Sequence, residues 1–188
     1  MGFAKPVARL SIGEYLEWER RQPSKNEYFF GEIFAMVGTS DAHNIVAGNV
    51  YALVRNHLKS SPCRVFMSDV KVRPGTAEAY FYPDVFVTCD EQDHQNRIEK
   101  AHPILIIEVL SESTGDFDRG EKFAAYRRIP EFKEYVLIDP DRRTIDIFRR
   151  SVTGEWVLWD ARGKAEVCLE SVNLTLPEPE IFGGVPGS

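Results

Sequence analysis

Two apolar runs in the middle of the chain are each interrupted by one acidic residue. Asp84 interrupts the run at residues 79–88, and Glu108 interrupts the run at residues 103–110. Both runs carry large apolar side chains on consecutive residues, which indicates strands buried on both faces of a sheet. Because an ionised carboxylate is costly to bury without a cation or several hydrogen-bond donors, the two acids together predict a buried site that holds a metal ion.

The remaining periodicity predicts the α/β fold class, with one central sheet flanked by helices. Helices are predicted at residues 12–21, after a capping box of Ser11 and Glu14, at about 42–58, with Asp41 as the candidate N-cap, and at about 117–128. Strands are predicted at residues 26–36 around a turn at Gly31, at 64–72, in the two apolar runs, at 134–139, at 144–148 and at 155–159. The sequence therefore predicts a single domain over residues 1–188, with a core at about 11–176 and a tail at 177–188 that lies on the surface.

Charge and cysteine content limit the possible partners and compartment. The net charge of −6 argues against a large non-specific DNA-binding surface, although it permits a local one. No apolar run approaches the roughly 20 residues of a membrane helix, so no membrane partner is expected. Cys63, Cys89 and Cys168 are odd in number and widely spaced, so we expect no disulfide framework, a reducing cytoplasm and three buried or half-buried thiols.

Three residues are the first candidates for chemistry, and each has a simpler alternative interpretation. Asp84 follows Pro83, which cannot donate to a sheet and so marks an irregular point where a carboxylate reaches a cleft; the alternative is a surface turn. Glu108 is a metal ligand, a protonated acid or half of a structural ion pair. Lys122 lies on the helix that follows Glu108, one turn after Asp118, and the alternative for these two is a surface ion pair.

Several sequence strings resemble the Uma2 family. They are Tyr-Pro-Asp-Val at residues 82–85, Ile-Ile-Glu-Val-Leu-Ser-Glu-Ser-Thr at 106–114, the spacing Asp118-x-x-x-Lys122-x-x-x-Tyr126, Glu-Tyr-Val-Leu-Ile-Asp-Pro at 134–140, and the segment 27–36 followed by His43. Uma2 proteins are cytoplasmic bacterial proteins of the restriction-endonuclease-like, PD-(D/E)xK nuclease superfamily. The resemblance implies a restriction-endonuclease-like central mixed β-sheet flanked by helices, here with an added C-terminal antiparallel hairpin.

The resemblance also implies a set of site residues. Asp84 corresponds to the Asp of the PD element and Glu108 to the second acid. The superfamily pattern has Lys two residues after that acid, where this chain has Leu110, and Lys122 on the following helix takes its place. An early acid, Glu32 or alternatively Glu27, would join Asp84 and Glu108 in the metal shell, and His43 and Tyr126 are possible additional site residues.

These residues predict a metal-dependent endonuclease that hydrolyses DNA phosphodiester bonds with Mg²⁺ or Mn²⁺, an endodeoxyribonuclease. We expect a cytoplasmic homodimer, because double-strand cleavage usually needs two sites and the late hairpin offers apolar residues. One alternative is a catalytically inactive nuclease-like fold that binds nucleic acid or a protein. A weaker alternative is a glycosidase-type carboxylate pair with Trp18, Trp156 and Trp159 lining a sugar cleft.

Overall fold

The computed structural model describes residues 6–36, 38–75, 78–112 and 114–186. The helices are α1 (Ile12–Glu19), α2 (Asp41–Leu58), α3 (Glu91–Gln95), α4 (Gly115–Phe117), α5 (Phe123–Tyr126) and α6 (Glu178–Ile181), with a π-helical turn (Asp118–Lys122) between α4 and α5 and a 3₁₀ turn (Glu170–Val172). The strands are β1 (Ala8–Arg9), β2 (Asn26–Phe29), β3 (Glu32–Ala35), β4 (Arg64–Met67), β5 (Lys71–Val72), β6 (Ala79–Tyr80), β7 (Val85–Thr88), β8 (Glu99–Lys100), β9 (Pro103–Val109), β10 (Glu134–Asp139), β11 (Thr144–Arg150), β12 (Trp156–Asp160), β13 (Glu166–Leu169) and β14 (Leu174–Pro177).

A six-stranded mixed sheet forms the centre of the molecule, in the order β12-β11-β10-β9-β7-β4. Strands β9 and β10 are parallel, and the other neighbours are antiparallel. The crossover between β9 and β10 contains α4, the π-helical turn and α5, because two parallel strands can be joined only by a long connection, which is usually helical. The predicted mixed α/β fold with a central sheet and a late antiparallel hairpin, here β11 and β12, is confirmed.

The two faces of this sheet pack against different helices. On one face, α2 contributes Val46, Val50 and Val54 to a core that includes Val85 and Ile107. On the other face, the helical crossover contributes a second core, which has Phe123, Tyr126 and Ile129 packed with Ile106, Phe86 and Tyr135. Because side chains alternate along a strand, Glu108 of β9 points to the same face as Ile106, toward the crossover helix.

A smaller sheet, in the order β1-β3-β2-β6, lies beside the central one. Its β2–β3 hairpin has the predicted turn, in which Phe30 and Gly31 both have positive φ, at 46° and 89°. Two consecutive positive φ values suit the twist of a tight hairpin, and Gly31 adopts its value without a Cβ penalty. The predicted capping box of α1 is also present, with Ser11 and Glu14 each bonding the other's backbone.

Three predicted elements differ from the structure. The strand at residues 64–72 is two strands, because Ser68 has φ of +45° and turns the chain out of the central sheet. The run at residues 79–88 is likewise divided: β6 belongs to the smaller sheet and β7 to the central one, with Pro83 between them unable to donate to either ladder. Helix α2 is capped by Ser40 rather than by Asp41.

Two further expectations are corrected at the level of packing. Cys63 and Cys89, which flank the paired strands β4 and β7, form a disulfide, and Cys168 is exposed. The predicted surface tail at residues 177–188 is wrong as far as Val185. Ile181, Phe182 and Val185 are buried in the core that also contains the apolar side chains of α2. Among the described residues, no helix is both long and apolar enough to cross a membrane.

Candidate active site

Asp84 and Glu108 meet where β7 begins and β9 ends. Strands β7 and β9 are antiparallel with Val85 opposite Ile107, which brings the residue before Val85 next to the residue after Ile107. The Asp84 backbone N–H donates to Glu108 Oε2 at 3.3 Å, and the Val109 N–H donates to Asp84 Oδ2 at 2.8 Å. Glu108 is thus held by the backbone of Asp84, Asp84 is held by the backbone of Val109, and both acids line the same cavity.

Lys122 lies at the centre of three carboxylates. Its Nζ is 2.9 Å from Glu108 Oε1, 3.0 Å from Glu27 Oε1 and 3.3 Å from Asp118 Oδ1. All four residues are buried. The ammonium group therefore provides the positive charge that three buried acids need, and the surface-pair interpretation of Asp118 and Lys122 is wrong.

The π-helical turn explains how Lys122 and Asp118 both point inward. A π-helical turn adds a residue to the helical repeat and redirects the side chains on either side of it, and such turns are frequent at functional sites. One turn later, the Tyr126 hydroxyl donates to Glu108 Oε1 at 3.2 Å, and the Tyr135 hydroxyl of β10 donates to the Asp118 carbonyl at 3.0 Å. These hydroxyl groups fix the crossover helix against the acid-bearing strand.

Burial perturbs the proton equilibria of this cluster. Desolvation, reinforced by neighbouring carboxylates and opposed by Lys122, raises the pKa of Glu108 well above its ordinary value and raises those of Glu27 and Asp118. For Lys122 desolvation acts in the opposite direction, but Glu108, Glu27 and Asp118 together raise its pKa well above 10.5. The lysine is therefore a fixed cation, while the surplus of acids makes the site receptive to protons or another cation.

His43 adds a second basic group on the other side of Asp84. It lies in the first turn of α2, where its backbone N–H donates to the capping Ser40, and its Nε2 is 3.3 Å from Asp84 Oδ2. Desolvation lowers the pKa of His43, but the hydrogen bond to Asp84 and the charge of Asp84 together raise this pKa by more, so the net shift is upward. His43 is buried by this pairing rather than exposed as a simple helix-start residue.

The cluster forms the floor of a cavity of about 500 Å³ between α2, the β2–β3 hairpin and the start of the crossover helix. Among the described residues that line it, six are acidic and only His43 and Lys122 are basic; the acids are Glu27, Asp84, Glu108, Glu112, Asp118 and Asp141. A phosphate group would be repelled from such a cavity unless a further cation accompanied it.

The donor set suits a hard divalent cation held by few protein ligands. No three His, Cys, Asp or Glu side chains within the described ranges are placed around one metal position. The reason is that Lys122 engages Glu27, Asp118 and one oxygen of Glu108, which leaves Asp84 and the second oxygen of Glu108 outside the ion pairs of the lysine. Mg²⁺ is commonly bound by one or two carboxylates, with water and substrate phosphate completing the shell. Asp84 and Glu108 fit that pattern.

Comparison with known proteins identifies the family of this chain. Residues 12–177 match the Uma2 family, which is described as "Putative restriction endonuclease". The chain belongs to the Uma2 family. It is 36% identical over 180 residues to the uncharacterized protein slr1290 of Synechocystis sp., covering 96% of this chain and 95% of that protein. It is 34% identical over 157 residues to the uncharacterized protein sll1609 of the same organism, covering 82% and 89%.

A solved structure shares the fold of this Uma2 chain. The crystal structure of a putative nuclease belonging to DUF820 from Anabaena variabilis matches with a TM-score of 0.73, covering 92% of this chain and 97% of that one. The sequence identity is 20%, so the likeness establishes the shared fold and not the details of the site. The chain thus belongs to a family described as putative restriction endonucleases and shares its fold with a protein described as a putative nuclease.

Of the early acids in this Uma2 chain, the structure brings Glu27 and not Glu32 to the cluster. Both point to one face of the β2–β3 hairpin, where Glu27 is opposite Phe34 and Glu32 is opposite Phe29. Glu32 is therefore nearer the turn, where it forms an ion pair with its cross-strand neighbour Arg9. The prediction that Glu32 joins the metal shell does not fit this placement, because Arg9 already neutralises its carboxylate outside the cavity.

The remaining predicted residues of this Uma2 site, Asp84, Glu108, Lys122, His43 and Tyr126, converge as described above. Asp118 was missed as a member of the cluster. Its spacing of four residues before Lys122 was visible, but that spacing is equally typical of an exposed helical ion pair. Only the packing of the crossover helix on the sheet shows that Asp118 is buried.

Proposed function

We propose that the protein is a metal-dependent endodeoxyribonuclease that hydrolyses DNA phosphodiester bonds at the Asp84–Glu108 cavity with Mg²⁺ or Mn²⁺. The observation that carries the proposal is the contact of 2.9 Å between Lys122 Nζ and Glu108 Oε1. Lys122, from the helical crossover, contacts Glu108. In the superfamily pattern, a lysine two residues after this acid, where this chain has Leu110, would be expected to do so. The family description and the nuclease-like fold support the same activity.

The charge of each side chain in the site determines its proposed role in the reaction. Asp84 and Glu108 would hold the metal ion, which supplies an acidified water and neutralises charge on the phosphate when bound. Lys122 remains protonated among its acids, so it donates hydrogen bonds to the attacking water or to the phosphate rather than accepting a proton. Glu27 and Asp118 keep the ammonium group in position, and His43 orients the Asp84 carboxylate.

Plasmid cleavage with matched variants tests the proposal. Purified protein is expected to nick or linearise plasmid DNA in Mg²⁺ or Mn²⁺ and not in chelator. Asp84→Asn and Glu108→Gln should abolish cleavage, Glu27→Gln should weaken it, and Glu32→Gln should cleave like wild type because Glu32 is outside the cavity. Intact plasmid with every metal, or unchanged cleavage by Asp84→Asn, would refute the proposal.

A second candidate is a nuclease-like fold that binds nucleic acid or a protein without cutting. It is favoured by the way Lys122 already neutralises part of the acid cluster, which leaves no three-residue metal shell among the described residues. Calorimetric titration with Mn²⁺ distinguishes the two. Metal binding that Asp84→Asn removes supports the nuclease, whereas absence of metal binding together with DNA retention supports the inactive fold.

We also propose a homodimer and a cytoplasmic location. The dimer is supported by the edge strand β12, where Val157, Leu158 and Trp159 are about half exposed, at 45%, 53% and 54%. Sedimentation of wild type and a Leu158→Glu variant tests it, since a β12 interface would dissociate in the variant. The cytoplasmic location is supported by membership of the Uma2 family, whereas the Cys63–Cys89 disulfide is the observation against it, because disulfides are rare in reducing compartments. Fractionation of cells that produce the protein tests the location.

A further inference from the structure

A second cavity lies at the opposite end of α2 from the acid cluster. Its volume is about 520 Å³, and it is bounded by the last turn of α2, the first residues of β4 and the short helix α3. Leu58 lies fifteen residues after His43 on α2, so at 1.5 Å per residue the helix separates this cavity from the first one by roughly 22 Å. The two cavities are therefore distinct sites on one domain.

The charge of this second cavity is opposite to that of the first. Arg55 and Lys59 project from α2 one helical turn apart, and Arg64 joins them from β4. Neither Arg55 nor Lys59 forms an ion pair with another described residue. No acidic residue is among the described residues that line the cavity, although the protein as a whole carries a net charge of −6. Local positive charge of this kind attracts an anion.

His94 adds a buried, unsatisfied ring nitrogen to the surroundings of the cavity. Its side chain is 9% exposed and lines the cavity, and its Nε2 is buried without a hydrogen-bond partner in the described part of the chain. The other ring nitrogen, Nδ1, is 3.8 Å from the exposed carboxylate of Glu91. Buried polar nitrogens are almost always hydrogen-bonded, so the ring of His94 holds an unsatisfied nitrogen beside the cavity, and a change in the cavity is expected to alter the environment of that ring.

The walls of the cavity are joined covalently as well as by hydrogen bonds. The Cys63–Cys89 disulfide links the residue before β4 to the residue before Asp90, the N-cap of α3. Arg64 Nη1 also donates to the His94 carbonyl at 3.1 Å. The arginine and the imidazole are thus held near each other before any ligand arrives, which lowers the cost of binding.

We propose that this pocket is a phosphate-binding site, which takes a phosphate mono- or diester group through Arg55, Lys59 and Arg64 against the His94 wall. Guanidinium groups match the oxygen geometry of phosphate, and a lysine adds a point charge. The source of the group is either a nucleic-acid backbone or a free phosphate compound. The site needs neither metal nor the acid cluster, so it stands or falls independently of the nuclease activity.

Calorimetric titration of the full chain with inorganic phosphate, in chelator, tests the proposal. Wild type is expected to show saturable binding at one site. The double variant Arg55→Gln, Lys59→Gln should bind at least about tenfold more weakly. The matched control Arg20→Gln, Arg21→Gln removes two exposed arginines near the end of α1 and should bind like wild type. The ¹⁵N signals of the His94 ring provide a second readout, because they should shift on addition of phosphate.

Competition then separates the sources. Displacement of phosphate by a short single-stranded oligonucleotide assigns the site to a nucleic-acid backbone, and displacement by a 5′-mononucleotide alone assigns it to a phosphate monoester. Either outcome supports the site. Absence of saturable binding at about 10 mM phosphate, or equal weakening by the two double variants, overturns it, because the attraction would then be general surface charge.

Discussion

Removing the positive charge of Lys122 is expected to destabilise the fold more than any surface substitution. Lys122→Met keeps the length and apolar stem of the side chain but leaves Glu27, Glu108 and Asp118 without their shared cation. Each of these acids is buried, so water cannot take over the role of the ammonium group. The expected cost comes from the buried acids that remain without a counter-charge.

The distances allow the magnitude to be worked out. At separations of 2.9, 3.0 and 3.3 Å, and with an effective dielectric constant of about 20, each pair attracts by about 5 to 6 kcal/mol. Repulsion among the carboxylates and the desolvation of four charges offset most of this attraction, and proton uptake by the acids offsets more. We therefore expect the net loss seen when one partner of a buried pair is removed, about 3 to 5 kcal/mol. For a domain of this size, the melting temperature should fall by roughly 6 to 20 °C.

Thermal unfolding in chelator measures this loss, with Lys164→Met as the control because Lys164 is exposed. The control should stay within about 0.5 kcal/mol of wild type. Adding Glu27→Gln to Lys122→Met should recover part of the stability, since one unpaired acid is then neutral. The lysine is not the counter-charge of the acid cluster if Lys122→Met has the melting temperature of wild type, or if adding Glu27→Gln lowers the melting temperature of Lys122→Met further.

Two further predictions follow from the buried acids and the disulfide. The raised pKa of Glu108 means that the folded protein retains a proton that the unfolded chain loses above the ordinary value of 4.5, so wild-type stability falls as pH rises above that value. The stability of Glu108→Gln relative to wild type in chelator should therefore increase from about pH 5 to pH 8, and a flat or decreasing difference in pH-dependent melting would contradict the shift. Loss of the Cys63–Cys89 link, which spans 26 residues, should cost about 3.5 kcal/mol. Cys63→Ser, Cys89→Ser under non-reducing conditions should melt like reduced wild type, and an unchanged melting temperature in both would show that the link contributes nothing.

Local patterns predicted most helices and strands because their causes are local. The capping box of Ser11 and Glu14, the helical periodicity of α2 and the turn at Gly31 each depend on a few neighbouring residues. The errors occur where the chain changes sheet. A positive φ at Ser68 and the separation of β6 from β7 depend on which strands pair, and strand pairing involves residues far apart in sequence.

The disulfide shows the same limitation in a different form. Cysteine count and spacing argued against it, whereas the register of β4 and β7 brings Cys63 and Cys89 together at the end of a cross-strand pair. The burial of the C-terminal residues Ile181 and Phe182 could not be predicted either, because a short segment rich in Pro and Glu has no periodicity that would indicate burial. Burial there is decided by the contact of α6 with α2, where the Asn49 amide donates to the Ile181 carbonyl.

By itself, the sequence indicated that Asp84 and Glu108 interrupt apolar strands, where an ionised carboxylate is costly. In the structure Glu108 is buried and Asp84 is partly buried in the wall of the cavity. The sequence could not determine what compensates them. The tertiary structure decided that Lys122, Glu27 and Asp118 share one charge network with Glu108, and that Glu32 pairs with Arg9 instead. The apolar run that surrounds an acid is visible in the local sequence, so the cost of burying its charge can be anticipated. The groups that neutralise the charge are distant in sequence, and only folding brings them within about 3 Å.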